Sequence, residues 1–373
     1  MVDVRLQRMA QVLVRYCVGA REGDRLAINS APAAQALLLE VYREALRVGT
    51  HPELFLALPG QAEIYYQEAS DEQLAYIPAA RRLMIEDNEA LIVIDAQENT
   101  KSLNGINPER FAIARKAGEE LNLKVLQRTN ERDPYAPGSL RWNRTLFPTD
   151  AYAQDAEMSL AEFENFVYHA CFLDDDDPVA RWQELSAQQE RLVQWLHGRH
   201  TVHLRGQDTD LTLSIEGRTF INDDGHYNLP GGEFFTGPVE QSANGFIRYS
   251  FPCSFQGRSV EDVRLRFENG VVVEARAGQG QEYLDRMLAM DEGARRIGEF
   301  AFGNNRNVDR CTKHTLFDEK MGGTVHLALG ASIPQTGGVN VSALHWDMVC
   351  DLRHGSEIRV DDELFSKDGR FVV

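Results

Sequence analysis

The chain has 373 residues, 43% of them hydrophobic, which is enough for two folded domains and a sizeable core. Its 39 Lys and Arg stand against 57 Asp and Glu, and the net charge of −18 argues against nucleic acid or an anionic membrane surface as partner. The cysteines Cys17, Cys171, Cys253, Cys311 and Cys350 are odd in number and scattered, so neither a disulfide framework nor a cysteine zinc site is expected. Residues 1–22 lack the unbroken apolar stretch of a signal peptide, and no run approaches the roughly 18 apolar residues of a spanning helix. The cytoplasm is the expected location.

In chain order, residues 1–19 read as a helix with Leu6, Met9, Val12, Leu13 and Tyr16 on one face. A short strand at 25–29, a helix at 33–48 closed by Gly49, and a strand at 53–58 follow. The run L-I-V-I-D at 91–95 has the continuous apolar character of a central parallel strand. A helix is expected at 107–121 with Pro108 in its first turn, then a strand at 124–127. Strand and helix in alternation imply a parallel sheet covered by helices. The segment N-S-A-P-A-A after the first strand does not fit a glycine-rich phosphate loop.

Residues 130–155 are rich in Pro, Gly and Arg and read as a long loop, with Trp142 as a core residue. Ser159 and Glu162 form a capping box at a helix start, Asp174 to Asp177 read as a solvated turn, and 181–197 reads as a helix. From His200 the texture turns to β. The stretch V-R-L-R-F-E-N-G-V-V-V-E-A is a hairpin with Asn269-Gly270 as a type I′ turn. A helix is expected at 282–300 and strands at 325–329, 341–349 and 357–360. The expected organisation is α/β: an N-terminal domain with a parallel sheet at 1–200, and a β-rich, mixed α+β metal-binding domain at 201–373.

The residues able to do chemistry lie in the second half. His345 and Asp347 stand two apart in V-S-A-L-H-W-D-M, so a strand aims both side chains to one face. His326 lies in the run V-H-L-A-L-G, Asp318-Glu319 precede it, and Glu299 and Glu233 lie further upstream. Taken singly, each has a plain structural use, and a satisfied, partly buried pair is the commoner meaning of H-x-D in a strand. Taken together, Glu233, Glu299, His326, His345 and Asp347 are the mixed carboxylate and imidazole set that a two-metal hydrolase needs. Glu319 is then a carboxylate outside that set, able to take a proton from the attacking water. His314 lies nearest to these residues in sequence, whereas His169, His197, His200 and His203 read as surface or core.

Four stretches carry a resemblance: N-L-P-G-G-E-F-F-T-G-P (228–238), D-E-G-A-R-R-I-G-E (291–299), D-E-K-M-G-G-T-V-H-L-A-L-G (318–330) and H-W-D (345–347). With R-E-G-D-R-L-A-I-N near the start, the chain resembles the thermophilic-type metallo-aminopeptidases, peptidase family M29, over nearly its whole length. The resemblance implies an aminopeptidase acting on peptides, with two divalent metals (zinc, cobalt or manganese) on Glu233, Glu299, His326, His345 and Asp347. It implies Glu319 as general base and a homodimer with enclosed active sites. Two features depart from the family pattern. The gap from Glu319 to His326 is longer than usual, and Ile333 stands where the family has a catalytic tyrosine, a role left to Tyr227 or Tyr249 if it is filled. Two other classes stay open: a mononuclear-iron, ring-cleaving dioxygenase of related fold using His326, His345 and Asp347, and a catalytically weak metal- or peptide-binding protein.

Overall fold

Residues 3–129, 133–255 and 257–373 are described by the computed structural model. Residues 1 and 2 of the expected first helix and 130–132 of the expected loop lie outside the described residues. The chain divides into two compact units, Met1–Val179 with Gly225–Leu229, and Ala180–Asp224 with Pro230–Val373.

The first unit is built on a five-stranded parallel sheet. His51–Leu56 lies at one edge, followed by Arg25–Ser30, Ala90–Asp95, Arg141–Leu146 and the short Asn228–Leu229. The apolar run at 91–95 is central, as its composition demands, with Ile92 fully buried. The first helix, Val4–Gln11, continues as a wider π turn over Val12–Cys17, where all but Arg15 are buried. Gln35–Val48 ends at Gly49, whose φ of 91° is the left-handed conformation a helix stop needs.

Two expectations fail in this unit. The strand expected at 124–127 is the last turn of a long helix, Pro108–Arg128. Leu121 is fully buried and Val125, four residues on, packs on the cluster of Ala27, Leu91 and Leu140, so the apolar spacing is helical. The Arg128 guanidinium then ties the helix end to the carbonyls of Gly138 and Asn88 at 2.7 and 2.8 Å. The fourth strand instead forms at Arg141–Leu146, inside the expected loop, and Asp150–Asp155 is a short helix. Trp142 is half-buried, packs on the same cluster and donates its indole N–H to Thr129 Oγ1. Downstream, the capping box of Ser159 and Glu162 opens the helix Leu160–Ala170.

The second unit begins with most of the helix Pro178–Leu196 and holds two large sheets. An eight-stranded antiparallel sheet includes Thr201–Gly206, Thr209–Ser214 and the hairpin Val263–Glu268 to Val271–Arg276. Asn269 and Gly270 have φ of 49° and 77°, as a type I′ turn requires. The second sheet has five antiparallel strands in the order His345–Asp351, Thr324–Gly330, Ile297–Gly303, Glu233–Thr236, Ile221–Asp223. One apolar core serves both sheets: Leu204, Leu213, Ile247 and Leu265 from the first, and Phe234, Phe300, Phe302, Leu327 and Trp346 from the second.

The helix expected at 282–300 stops early, at Gln281–Leu288, and Ile297–Gly303 is a strand. Glycines mark the break. A Cβ on Gly293 would stand 2.1 Å from the Val341 carbonyl oxygen, and one on Gly298 would stand 2.2 Å from that of Ala331. Both positions need close backbone approach rather than a helical surface. The strand expected at 341–349 starts only at His345, and Val341 is 86% exposed. Among the described residues no helix is long and apolar enough to cross a membrane. The five cysteines form no disulfide with one another, and all but Cys311 are buried.

Candidate metal centre

The period of two sorts the five-stranded sheet into two faces. On Thr324–Gly330, Val325, Leu327 and Leu329 enter the core, so His326, Ala328 and Gly330 share the other face. On His345–Asp351, Trp346, Met348 and Cys350 enter the core, which leaves His345 and Asp347 on that other face. On Ile297–Gly303, Phe300 and Phe302 point inward, and a bulge at Gly298 sets Glu299 and Ala301 outward. Cross-strand register then aligns the outward set. Ala328 lies opposite both Glu299 and Asp347, Ala301 opposite His326, Gly330 opposite His345, and Gly303 opposite Glu233. Directly opposed residues share a face. Each of the five candidate ligands therefore has an alanine or glycine directly opposite it.

The result is one cluster. His326 Nε2 lies 3.3 Å from Glu233 Oε2, 3.6 Å from Glu299 Oε1 and 4.0 Å from Asp347 Oδ1. His345 Nε2 lies 3.2 Å from Glu299 Oε2 and 3.7 Å from Asp347 Oδ1. Three overlapping triads each bring one ligand atom per residue within 4.8 Å of one another: Glu233, Glu299 and His326; Glu299, His345 and Asp347; and Glu319, His326 and Asp347. All six residues singled out in the sequence thus come together. Glu299 faces both imidazoles, one with each oxygen. His345 is held from behind by its Nδ1, 2.9 Å from the Ala331 carbonyl, the kind of second contact that fixes an imidazole ligand's tautomer.

Glu319 follows the short helix Thr315–Asp318. Its neighbour Lys320 and the glycines after it are held firmly rather than forming a loose link. Lys320 is fully buried, and its ammonium lies 2.5 Å from Glu233 Oε1, 2.7 Å from Glu319 Oε1 and 2.8 Å from Asp223 Oδ2. The glycines that follow are tied down as well, Gly322 N–H to the Asn305 carbonyl and Gly323 N–H to that of Gly303. Lys320 and Asp223 are the site residues that sequence reasoning missed. The signal for Lys320 was its place in D-E-K-M-G-G, where a lysine beside a buried acid must itself be paired.

The electrostatics are severe. Asp223, Glu233 and Glu299 are each at most 5% exposed and His326 is fully buried. Among the described residues, five carboxylates, two imidazoles and the Lys320 ammonium meet in this cluster. Without a cation the side chains compensate by holding protons. Burial opposes charge on His326, but Glu233, Glu299 and Asp347 outweigh it and lift its pKa to about 9. His345 rises to about 10, with Asp347 and Glu299 again outweighing burial. Burial pushes the Glu233 and Glu319 carboxyls upward, whereas Glu299, facing both imidazoles, is driven down despite its burial.

These observations fit a bound dication. Among the described residues, Glu233 Oε2 and His326 Nε2 are buried, face one another and have no hydrogen-bond partner. Mixed imidazole and carboxylate donors suit zinc and its first-row neighbours. Away from the cluster, His169, His200 and His203 lie near Asp174, Asp361 and Asp210, and His314 precedes the helix Thr315–Asp318. Tyr249 lies in the apolar core, and Tyr227, in the first unit, packs its ring on Trp142. Ile333 caps a short turn close to Ala331.

The site and sheets can be set against known proteins. The aminopeptidase T of Thermus thermophilus is 28% identical over 354 residues, which covers 87% of this chain and 84% of the relative. The solved structure titled wild-type AmpT from Thermus thermophilus superposes with a TM-score of 0.84, covering 99% of both chains at 24% identity. The 2,5-dihydroxypyridine dioxygenase of Pseudomonas putida KT2440 shares the fold more distantly, with a TM-score of 0.60 at 15% identity, covering 99% of this chain and 96% of the other. The family described as thermophilic metalloprotease (M29) matches residues 2–371, and the chain belongs to that family of metal-dependent hydrolases.

Proposed function

We propose that this protein is a metal-dependent aminopeptidase that holds two divalent cations and removes N-terminal residues from peptides. The observation that carries the number two is the geometry of Glu299: it faces His326 with one oxygen and His345 with the other, so that two ligand triads meet at one carboxylate. Glu233, Glu299, His326, His345 and Asp347 are the ligands, with Glu299 between the two imidazoles as the shared one. Zinc, cobalt and manganese all suit this donor set. When bound, such cations polarise a carbonyl and lower the pKa of a coordinated water.

The protein's own groups do the rest. Glu319 lies within 4.8 Å of His326 and Asp347, so it accepts the water's proton and returns it to the leaving amine. Ala301 and Ala328 opposite the ligands leave space for a substrate backbone, whereas Gly232 lets the protein's own Asn305 approach closely. No tyrosine follows Tyr283, so the family's phenol has no successor at Ile333. One missing oxyanion donor costs about 100-fold or more in other enzymes, so slow turnover is part of the proposal. The reading includes a homodimer, as the resemblance implies, and a cytoplasmic place, which the buried cysteine thiols support.

The test is metal titration with turnover of aminoacyl chromogenic substrates. Two equivalents per chain with turnover support the proposal. A firm plateau at one equivalent overturns the dinuclear site and favours an iron site on His326, His345 and Asp347. Two equivalents without turnover on any aminoacyl substrate mark a binding protein. Light scattering near twice the single-chain 42.1 kDa supports the dimer.

A further inference from the structure

Lys320 has no place in the metal-ligand set, yet it touches two acids of the proposed reaction. An ammonium has three N–H donors, and here it donates to Glu233 Oε1 and Glu319 Oε1, at 2.5 and 2.7 Å, while Asp223 Oδ2 forms an ion pair with it at 2.8 Å. The side chain is fully buried, so water does not compete for those donors. The consequence differs for each acid. Glu233 has Oε1 spent on the ammonium and Oε2 facing His326 Nε2 at 3.3 Å, so only Oε2 is offered to a cation. Glu319 also has one oxygen spent, although it lies within 4.8 Å of His326 and Asp347. A carboxylate so near a dication would ordinarily join its coordination shell, and a carboxylate in the shell is a poor proton acceptor.

Asp223 completes the device. It ends the strand Ile221–Asp223, opposite Glu233 in register, and it is 2% exposed. It holds the ammonium from the side of the edge strand. The Lys320 carbonyl accepts from Asn305 N–H at 2.9 Å, which fixes the backbone beneath the side chain.

We propose that Lys320 is a positioning residue, anchored by Asp223, that keeps Glu319 out of the metal shell and restricts Glu233 to one-oxygen coordination. The inference rests on the two-metal reading with Glu319 as base. It makes Lys320 a fixed third cation, one that sorts Glu233 and Glu319 into ligand and base.

The test uses full-length protein loaded with cobalt(II), whose visible spectrum reports coordination number. Lys320→Met keeps the length of the side chain and removes the charge. The expected variant binds two equivalents, shows a cobalt spectrum shifted toward higher coordination, and loses about 100-fold or more in kcat with KM within a few-fold, the loss of a positioned base. Should Lys320→Met fail to fold, Lys320→Met with Asp223→Asn removes one buried acid together with the ammonium. That double variant is expected to fold, to show the same shifted spectrum and to stay slow. Glu319→Gln in the wild-type background separates the layers. If Glu319→Gln retains turnover, the base assignment fails. If Glu319→Gln is slow but Lys320→Met or the double variant keeps both the wild-type spectrum and the wild-type kcat, the positioning inference alone is overturned. Loss of metal in step with loss of turnover, with an unshifted spectrum in the loaded fraction, also overturns it, because that is what a purely structural lysine does.

Discussion

The two large sheets of the second unit share a pattern and put it to opposite uses. In the hairpin strand Val263–Glu268 buried and exposed residues alternate, and the outward positions are Arg264, Arg266 and Glu268. These meet Asp262, Glu274 and Glu268 in exposed ion pairs. In Thr324–Gly330 the same period sends Val325, Leu327 and Leu329 to the core and His326 to the other face, but every residue of the strand is buried. Ionisable groups that water screens on one sheet are enclosed on the other. Exposed pairs contribute little to stability, whereas an unmatched buried charge costs several kcal/mol. A fold keeps an unmatched cluster of acids when something else supplies the positive charge, and that difference points to cations at the five-stranded sheet.

The sharpest way to break the contrast is to remove the acid that faces both imidazoles. Glu299→Gln leaves His326 and His345 without their shared partner and takes one charge from the proposed ligand set. We expect fewer than one equivalent of metal retained after gel filtration, and turnover below detection. Elemental analysis of the purified variant checks this. Full metal content in Glu299→Gln would remove Glu299 from the ligand set.

The next largest effect separates ligand from base. Glu319→Gln is expected to keep two metals and lose roughly 100- to 10,000-fold in kcat, while His345→Ala loses metal itself. Metal analysis beside steady-state kinetics distinguishes them, and equal metal loss in both variants would make Glu319 a ligand.

This contrast also governs what was legible in the sequence. The eight-stranded sheet was readable because half its residues meet water, so the alternation of V-R-L-R-F-E and the Asn269-Gly270 turn stand out. The strand Ile297–Gly303 was mistaken for the end of a helix because it is buried on both faces and I-G-E-F-A-F-G has no alternation to read. The strand at 141–146 was hidden by Pro, Gly and Arg in the preceding loop, and the helix through residue 128 by a local β-like run. The six candidate residues were legible through residue types and motifs, since His326, His345 and Asp347 sit in strand-like runs, and the fold brings them together. The roles of Lys320 and Asp223 were not, because the contact spans nearly a hundred residues of sequence and only the folded sheet creates it.

Metal removal should show the contrast in stability. Metal-loaded protein at a free-metal concentration of 100 Kd is expected to gain about 2.7 kcal/mol for each occupied site over the chelated form. The chelated form should remain folded, because His326, His345 and Lys320 still carry positive charge among the acids. Scanning calorimetry with and without a chelator checks both points. Identical transitions would mean that the acids are balanced without metal.

The smallest expected effect lies on the other sheet and serves as the control for the comparison. Arg266 meets Glu268 and Glu274 on the exposed face of the hairpin, with about half of each side chain open to solvent. Water already solvates all three groups, and holding long side chains in one geometry costs entropy that offsets the attraction. Arg266→Gln keeps most of the side chain's length and its ability to donate hydrogen bonds while removing the charge. Its thermal midpoint is expected to match wild type within error, with metal content and kcat unchanged. Salt should matter as little, since added ions screen an interaction that is already weak. A clear drop in midpoint for Arg266→Gln, comparable to that on chelation, would mean that charge on the open sheet stabilises the fold as much as charge in the cluster, and burial would no longer explain why one sheet needs cations and the other does not.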